Sequence, residues 1–483
     1  MSSITRETFA SRIGFLGATL ATSGGIAGFV MMSYIAYGYY GAAYWIAFIL
    51  AFSLIVTAGF LTEAGLGVWG RRALPSTVAR LKYGRLWELI IWICILGGGG
   101  GFLYGFNATY AVVLGYWLSY LIMSPVKAWG ADPVTYFWVN HLTNFIAVFI
   151  PAIIIILIWW YIEIKGVEFF GMFSIIGRVI TMLVALILLI ASLLIFPNGW
   201  EGIAYSFHVK LDALLYPEVW TTAFLWAFWI TGIGLGNMTV FASYLPRGGD
   251  VNTTAILGPL THAFTCFLGG LAFFNYAIGT GVPPVWLGSI GLAFTGMPKI
   301  WNALGALGVP LALLFYSLVF WSALPCSIAW FENINAALMD KFGWPRSKSI
   351  NLLIVTTIIG AVIFSLPMYY DPWETSYGFT LISTHWFWEA IFCAISTFTL
   401  FIIAIFVFKP SRLLSVLNEH SDIKLPLFFY YTLLAIGFLS SIFLIYQTVV
   451  SFSPSDAWAP GFWVGLSMPL WAIILGIIIW YRR

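Results

Sequence analysis

Thr22-Ser23-Gly24-Gly25-Ile26-Ala27-Gly28 lies in the middle of an apolar stretch long enough to cross a membrane. Glycine weakens a helix by roughly 1 kcal/mol per residue relative to alanine. Inside a bilayer, irregular backbone is tolerated only where protein or a cavity satisfies its amides and carbonyls. A second such stretch, Thr231-Gly232-Ile233-Gly234-Leu235-Gly236, interrupts a later apolar segment. Two interrupted segments at corresponding positions of two halves point to the binding site of a secondary transporter.

Composition supports this solvent assignment. The 483 residues are 61% hydrophobic and 8% charged, with mean hydropathy +0.96. Soluble domains carry about 25% charged residues, so the chain reads as a polytopic, all-α integral membrane protein. Apolar segments of roughly 20 residues or more consume the chain and leave no room for a soluble domain. Cys94, Cys266, Cys326 and Cys393 are scattered through apolar runs and form no CxxC pair. A metal site or a disulfide framework is therefore not expected. No phosphate-cradling loop or nucleophile beside a base suggests an enzyme, and no basic tract suggests nucleic acid.

Twelve spans are predicted, over about 13–38, 42–68, 88–122, 141–163, 168–196, 218–244, 256–281, 306–339, 349–368, 381–408, 426–451 and 461–480. Met1–Arg12 reads as a retained cytoplasmic segment rather than a signal peptide. With that end inside, the outer loops hold only Lys127, Lys210 and Lys299, Arg178 lies within a span, and the remaining Lys and Arg of the chain's 21 fall inside. The positive-inside rule then places both termini in the cytoplasm of a cell-membrane protein. The outer stretch Ala293–Trp301 mixes turn residues with apolar ones, as either a re-entrant lid or an interfacial aromatic belt would.

Several motifs together resemble one family. They are Arg6-Glu7 with Ser11-Arg12-Ile13-Gly14-Phe15, Glu63-Ala64-Gly65-Leu66-Gly67, and Tyr110-Ala111-Val112-Val113-Leu114-Gly115. Further along come Pro217-Glu218-Val219-Trp220 with Gly232–Gly236 and Phe241-Ala242-Ser243-Tyr244, then Leu292–Trp301, Cys326–Asp340, and Ile423-Lys424-Leu425-Pro426 with Tyr430-Tyr431. In this order they resemble the neurotransmitter:sodium symporter family, its bacterial LeuT-type amino-acid transporters in particular. The resemblance implies a LeuT-type fold of 12 transmembrane helices. Two inverted five-helix repeats, 13–196 and 218–408, would be followed by helices 11 and 12 in 426–483, with the substrate near the midplane.

The departures from the family matter as much. Gapless placement puts Thr22 and Gly28 where the family has two sodium-binding Asn residues, and Ile230 where it has a Thr. Pro325 and Cys326 stand where span-8 hydroxyls hold a second sodium. Sodium is a hard cation that wants oxygen ligands, so these side chains argue against sodium coupling and leave proton coupling, or none. The family's outer Arg–Asp gate reads Met31 and Trp386, which makes any outer closure apolar. The inner pair is kept as Arg6 and Asp340.

The site implied by the resemblance and the two breaks comprises Gly24, Gly25, Gly28, Phe106, Tyr110, Phe228, Trp229, Gly232, Leu235, Cys326 and Trp330. Half-helix amides and the Tyr110 hydroxyl would take a substrate carboxylate, and freed carbonyls an ammonium. The large apolar side chains suit a neutral, apolar or aromatic amino acid, with Gly232 opening space. Four charges lie within spans, where each is costly. Glu63 would satisfy amides freed by the second break, or else carry a proton. Arg178 would stand in for the second sodium as a fixed charge, or else snorkel to the membrane surface. Glu332 and Glu389, in apolar surroundings, are candidates for proton coupling or for neutral fasteners between helices. His262 and His385 read as interfacial. No cofactor is expected; the partners are a small solute and the lipid bilayer. The alternative function is a non-transporting receptor or structural subunit. Retention of both glycine breaks, Glu63 and Tyr110 argues against it, because a purely structural relative has no need of broken helices.

Overall fold

The structure is a computed structural model. It describes residues 7–26, 41–99, 102–103, 105–196, 200–208, 210–246, 249–282, 292–366, 369–370, 375–450 and 466–482. Among these the secondary structure is helical, apart from a two-residue antiparallel pairing of Tyr369–Tyr370 with Thr375–Ser376.

The helices that position the site are α1 (Arg12–Thr22), α2 (Ala42–Gly70), α3 (Gly84–Cys94), α4 (Phe106–Met123), α5 (Phe145–Lys165), α6 (Val167–Ile195), α7 (Pro217–Thr231) and α8 (Asn237–Ser243). They continue with α9 (Val251–Thr280), α10 (Met297–Ala303), α11 (Gly308–Phe342), α12 (Arg346–Phe364), α13 (Tyr377–Ile402), α14 (Leu427–Val450) and α15 (Ser467–Tyr481). Among the described residues nine helices are long and apolar enough to span a bilayer. Three of the twelve predicted spans fall outside that count for distinct reasons. The first runs from α1 into residues beyond the described set, the sixth is divided between α7 and α8, and the last is the shorter apolar helix α15.

Local chemistry sets the helix starts. The Ser11 hydroxyl accepts from the Gly14 amide, and Asn144 and Asp250 do the same for α5 and α9, each satisfying an amide that the first turn leaves open. Lipid supplies no hydrophobic drive between apolar helices, so small residues allow close approach. A Cβ on Gly17 would lie 2.0 Å from the Gly171 carbonyl oxygen, and one on Gly171 would lie 2.2 Å from that of Gly14. These contacts press α1 onto α6. The outer faces of α5 (Ile146, Ile150, Ile154, Leu157) and α6 (Ile176, Leu183, Ile187, Ile190) are exposed and apolar, as a lipid-facing surface requires.

Two features differ from the sequence reading. The third predicted span is interrupted: α3 passes through a π-helical turn at Ile95–Gly99, and α4 starts only at Phe106. The freed Phe102 carbonyl accepts from the Trp471 indole of α15 at 2.7 Å. The stretch Ala293–Trp301 is a buried helical plug rather than an aromatic belt. Phe294 and Trp301 are fully buried, and Tyr120 and Tyr316 donate to the Phe294 and Ala293 carbonyls at 3.1 and 2.8 Å.

The α1–α6 contact predicts that Gly17→Val lowers apparent stability by roughly 1–3 kcal/mol, the usual range for overpacking. Thermal unfolding in detergent measures this, and an unchanged midpoint would show that the two helices are not held by close backbone approach.

Candidate functional site

At the second break most of the freed backbone groups have side-chain partners. α7 ends at Thr231, and Gly232, Gly234 and Gly236 take φ values of 57°, 90° and 100° before α8 starts. The Glu63 carboxylate, 1% exposed on α2, accepts the amides of Gly234 (2.6 Å), Gly236 (3.2 Å), Met238 (3.0 Å) and Thr239 (3.4 Å). The carbonyls are met from the other side. Thr397 and Ser396 donate to Ile233 and Gly234 at 2.6 and 2.7 Å, and the Asn333 amide donates to Leu235 at 3.0 Å. A side chain at Gly234 would sit 2.5 Å from the Thr397 amide nitrogen, so glycine is what lets α13 close on the break.

The first break is built differently. Gly25 adopts φ 149°, and the next amide, Ile26, donates to the Tyr110 hydroxyl at 3.2 Å. A Cβ on Gly24 would come within 2.8 Å of the Ser322 carbonyl oxygen and 3.3 Å of Arg178 Nη2. Arg178 is 6% exposed and donates from Nη2 to the Leu20 carbonyl at 2.7 Å. Its Nη1 faces His262 Nδ1 at 3.5 Å, and His262 Nε2 faces Cys266 Sγ at 3.3 Å. Next to a permanent cation, Nδ1 is the acceptor and the imidazole is the Nε2–H tautomer. Among the described residues no carboxylate forms an ion pair with Arg178. The guanidinium thus lies at the carbonyl-bearing end of α1, where the helix dipole is negative, and not at the membrane surface. His262, placed at an interface from sequence, is fully buried in α9, and His385 is 1% exposed. Sequence fixes a residue's position along a helix, not its depth once that helix tilts or overruns the bilayer.

Between the breaks lies an aromatic wall. The Phe106 ring is 4.6 Å from both Tyr110 and Trp330. The Tyr110 hydroxyl and Cys326 Sγ both border Gly25, 3.4 and 3.9 Å from where its Cβ would be. Gly232 does not open space for a ligand. A Cβ there would meet the Trp330 ring at 2.3 Å, so the indole occupies the gap. Leu235 packs against Gly98 and Gly99, and Gly97 faces the Phe392 ring. These glycines of α3's end went unread in the sequence. The signal was the unbroken run Gly97–Gly101 just ahead of Phe106. Phe228 is buried in the last turn of α7, and its carbonyl accepts the Gly232 amide at 3.0 Å. Glu389 is 1% exposed and within electrostatic reach of Tyr110 and Cys326. Trp386 packs half-buried against the core. Gly28, Met31, Arg6 and the Trp229 side chain lie outside the described residues.

At the end of the bundle richest in Lys and Arg, Asp340 accepts the Ala73 amide at 2.6 Å. Glu332 is not in apolar surroundings. It accepts from Arg346 (2.7 Å), the Tyr244 hydroxyl (2.6 Å) and the Asn335 amide (2.8 Å). α11 extends to Phe342, which brings Glu332 opposite the start of α12.

Comparison with known proteins bears on the family and the fold. The model described as "Sodium:neurotransmitter symporter family" matches residues 139–482. An uncharacterized sodium-dependent transporter of Methanocaldococcus jannaschii is 24% identical over 453 residues, covering 89% of this chain and 88% of that protein. The sodium-dependent neutral amino acid transporter B(0)AT2 of Rattus norvegicus is 33% identical over 112 residues, 23% of this chain and 15% of that one. The crystal structure of MhsT in complex with L-phenylalanine superposes with a TM-score of 0.75 at 21% identity, over 92% of this chain and 99% of that chain. The shared fold is the LeuT type.

Glu63→Gln keeps the shape of the side chain but replaces one acceptor by a donor facing backbone amides. A fall of roughly 2–4 kcal/mol in apparent stability is expected, since each buried unsatisfied donor costs about 1–3 kcal/mol. Thermal unfolding reads it directly; a variant as stable as the parent would mean that the second break is satisfied without the carboxylate.

Proposed function

This chain belongs to the Sodium:neurotransmitter symporter family, and we propose that it works as a secondary transporter of a neutral, apolar or aromatic amino acid by alternating access. Both termini would face the cytoplasm, as the Lys/Arg distribution favours. The Ile26 amide and the Tyr110 hydroxyl converge at Gly25, where a carboxylate oxygen would bridge a half-helix amide and a phenol. Phe106, Trp330 and Leu235 line the neighbouring space and favour an apolar or aromatic side chain. MhsT, which shares the fold, binds L-phenylalanine, and B(0)AT2 carries neutral amino acids in its name; both agree with that choice.

Sodium is the point on which this chain parts from the names of its relatives. A symported sodium would need several oxygen ligands. Gly28, Ile230, Pro325 and Cys326 supply none from their side chains. The carbonyls of Ile233, Gly234 and Leu235 already accept from Thr397, Ser396 and Asn333. The observation that carries the reading is Arg178: a buried guanidinium on the Leu20 carbonyl at the first break. A fixed cation there supplies the charge that a sodium would bring and cannot leave with the substrate. Coupling, where present, would then be to protons.

The test is thermal shift of the purified protein with a panel of amino acids. A ligand of the folded state at 100 times its Kd adds about 2.7 kcal/mol. The expected result is a shift with L-phenylalanine or another apolar amino acid that is equal in sodium and choline buffers and strongly reduced in Tyr110→Phe. A shift seen only with sodium overturns the role given to Arg178, and no shift across the panel overturns the substrate class.

A further inference from the structure

Three carboxylates converge on one guanidinium at the Lys/Arg-rich end. Arg346 reaches Glu163 at 2.5 Å, Glu332 at 2.7 Å and Glu7 at 3.3 Å. The side chains of Glu163 and Glu332 are each 1% exposed and that of Arg346 14%. Other cations on these elements are engaged elsewhere. Lys165 lies over the Tyr161 ring, Lys348 over Trp344, and Lys341 pairs with Glu88. Among the described residues Tyr244, just past α8, and Asn335 from α11 are further polar neighbours, and both donate to Glu332. Asn335 is 0% exposed, and its side-chain Oδ1 has no partner among the described residues; the amide is turned so that its N–H serves Glu332.

The two buried carboxyls are not equivalent. Glu332 receives three donors, from Arg346, Tyr244 and Asn335, and is thereby set up as the anion. Glu163 receives Arg346 on one oxygen and so shares that guanidinium with Glu332. Two buried carboxylates on one guanidinium carry an excess negative charge in a dry site, which favours a proton on one of them. Glu163, with one side-chain donor against three on Glu332, is the one left to take it.

We propose that Glu163 and Glu332 hold one proton between them, on Glu163, and that this proton keeps the N-terminal segment closed over the inner end of the site. The segment is latched at several points. Glu7 contacts Arg346 and accepts the Val167 amide at 2.8 Å, the Phe9 amide donates to the Tyr244 carbonyl at 3.0 Å, and the Ala10 amide and Ser11 hydroxyl donate to Glu168 at 2.9 and 2.6 Å. Loss of the proton from the Glu163 O–H to water leaves two like charges on one guanidinium, drives α5 and α11 apart around Arg346, and loosens Glu7. Closing the segment binds a proton and opening releases it. The coupling role rests on the transporter reading above; the proton site itself does not.

The test uses the full chain in detergent and needs no substrate. Infrared spectra in H2O and D2O of the parent should contain a deuterium-sensitive carboxylic-acid carbonyl band that Glu163→Gln removes. If that variant does not fold, Glu332→Gln serves instead, because its amide donates to Glu163 and no proton is then needed. An unchanged band in the folded variant overturns the proton site. For the latch, thiol labelling of Thr19→Cys, buried on α1, should speed up as pH rises in the parent background and become flat with pH once Glu163→Gln is added. Equal pH dependence in both backgrounds overturns the gating role. Neither readout depends on uptake, so the two proposals fail separately.

Discussion

A helix broken inside a bilayer must find partners for the amides and carbonyls it frees, because no water is there to take them. Glu63 meets that constraint at the second break, where one buried carboxylate accepts four successive-turn amides. The positive end of α8 favours a negative charge on it, and among the described residues no cation pairs with it. With Thr397, Ser396 and Asn333 donating on the carbonyl side, this break ties α2, α11 and α13 together.

Among the described residues the first break has no such carboxylate. Its carbonyl end is held by Arg178 and its amide end by a phenol hydroxyl. The two breaks therefore differ in kind: one is closed on itself, and the other presents groups that a zwitterion could take over. The imbalance also explains the charge pattern. Arg178 lies at the first break without a carboxylate among the described residues, whereas Glu389 stands within electrostatic reach of Tyr110 and Cys326 on the far side of the same site.

Much of this was legible in the chain. Glycines in mid-span mark backbone that departs from a helix, so Gly24, Gly25, Gly232, Gly234 and Gly236 announced the breaks. Charges within apolar segments are few, so Glu63, Arg178, Glu332 and Glu389 stood out. What the sequence withheld was depth and facing. His262 reads as a residue near a span end because its helix is 30 residues long, more than the bilayer needs. Glu332 reads as isolated because its partner Arg346 comes after the turn into the next helix, and Glu163 went unread because its partner Arg346 lies far away in sequence. Gly232 promised a vacancy, but whether a glycine's missing side chain becomes a cavity depends on what leans into it, here Trp330. The run Gly97–Gly101 was visible and unread, since it lies in a span that the resemblance treats as continuous.

The claim that most distinguishes this chain is that a fixed guanidinium takes the place of a bound sodium. Uptake of L-phenylalanine, or of whichever apolar amino acid stabilises the protein, into proteoliposomes under an imposed sodium gradient and under an equal choline gradient tests it most directly. Equal rates in the two conditions are predicted. Uptake that occurs only with inward sodium would contradict the account and return Arg178 to a purely structural role.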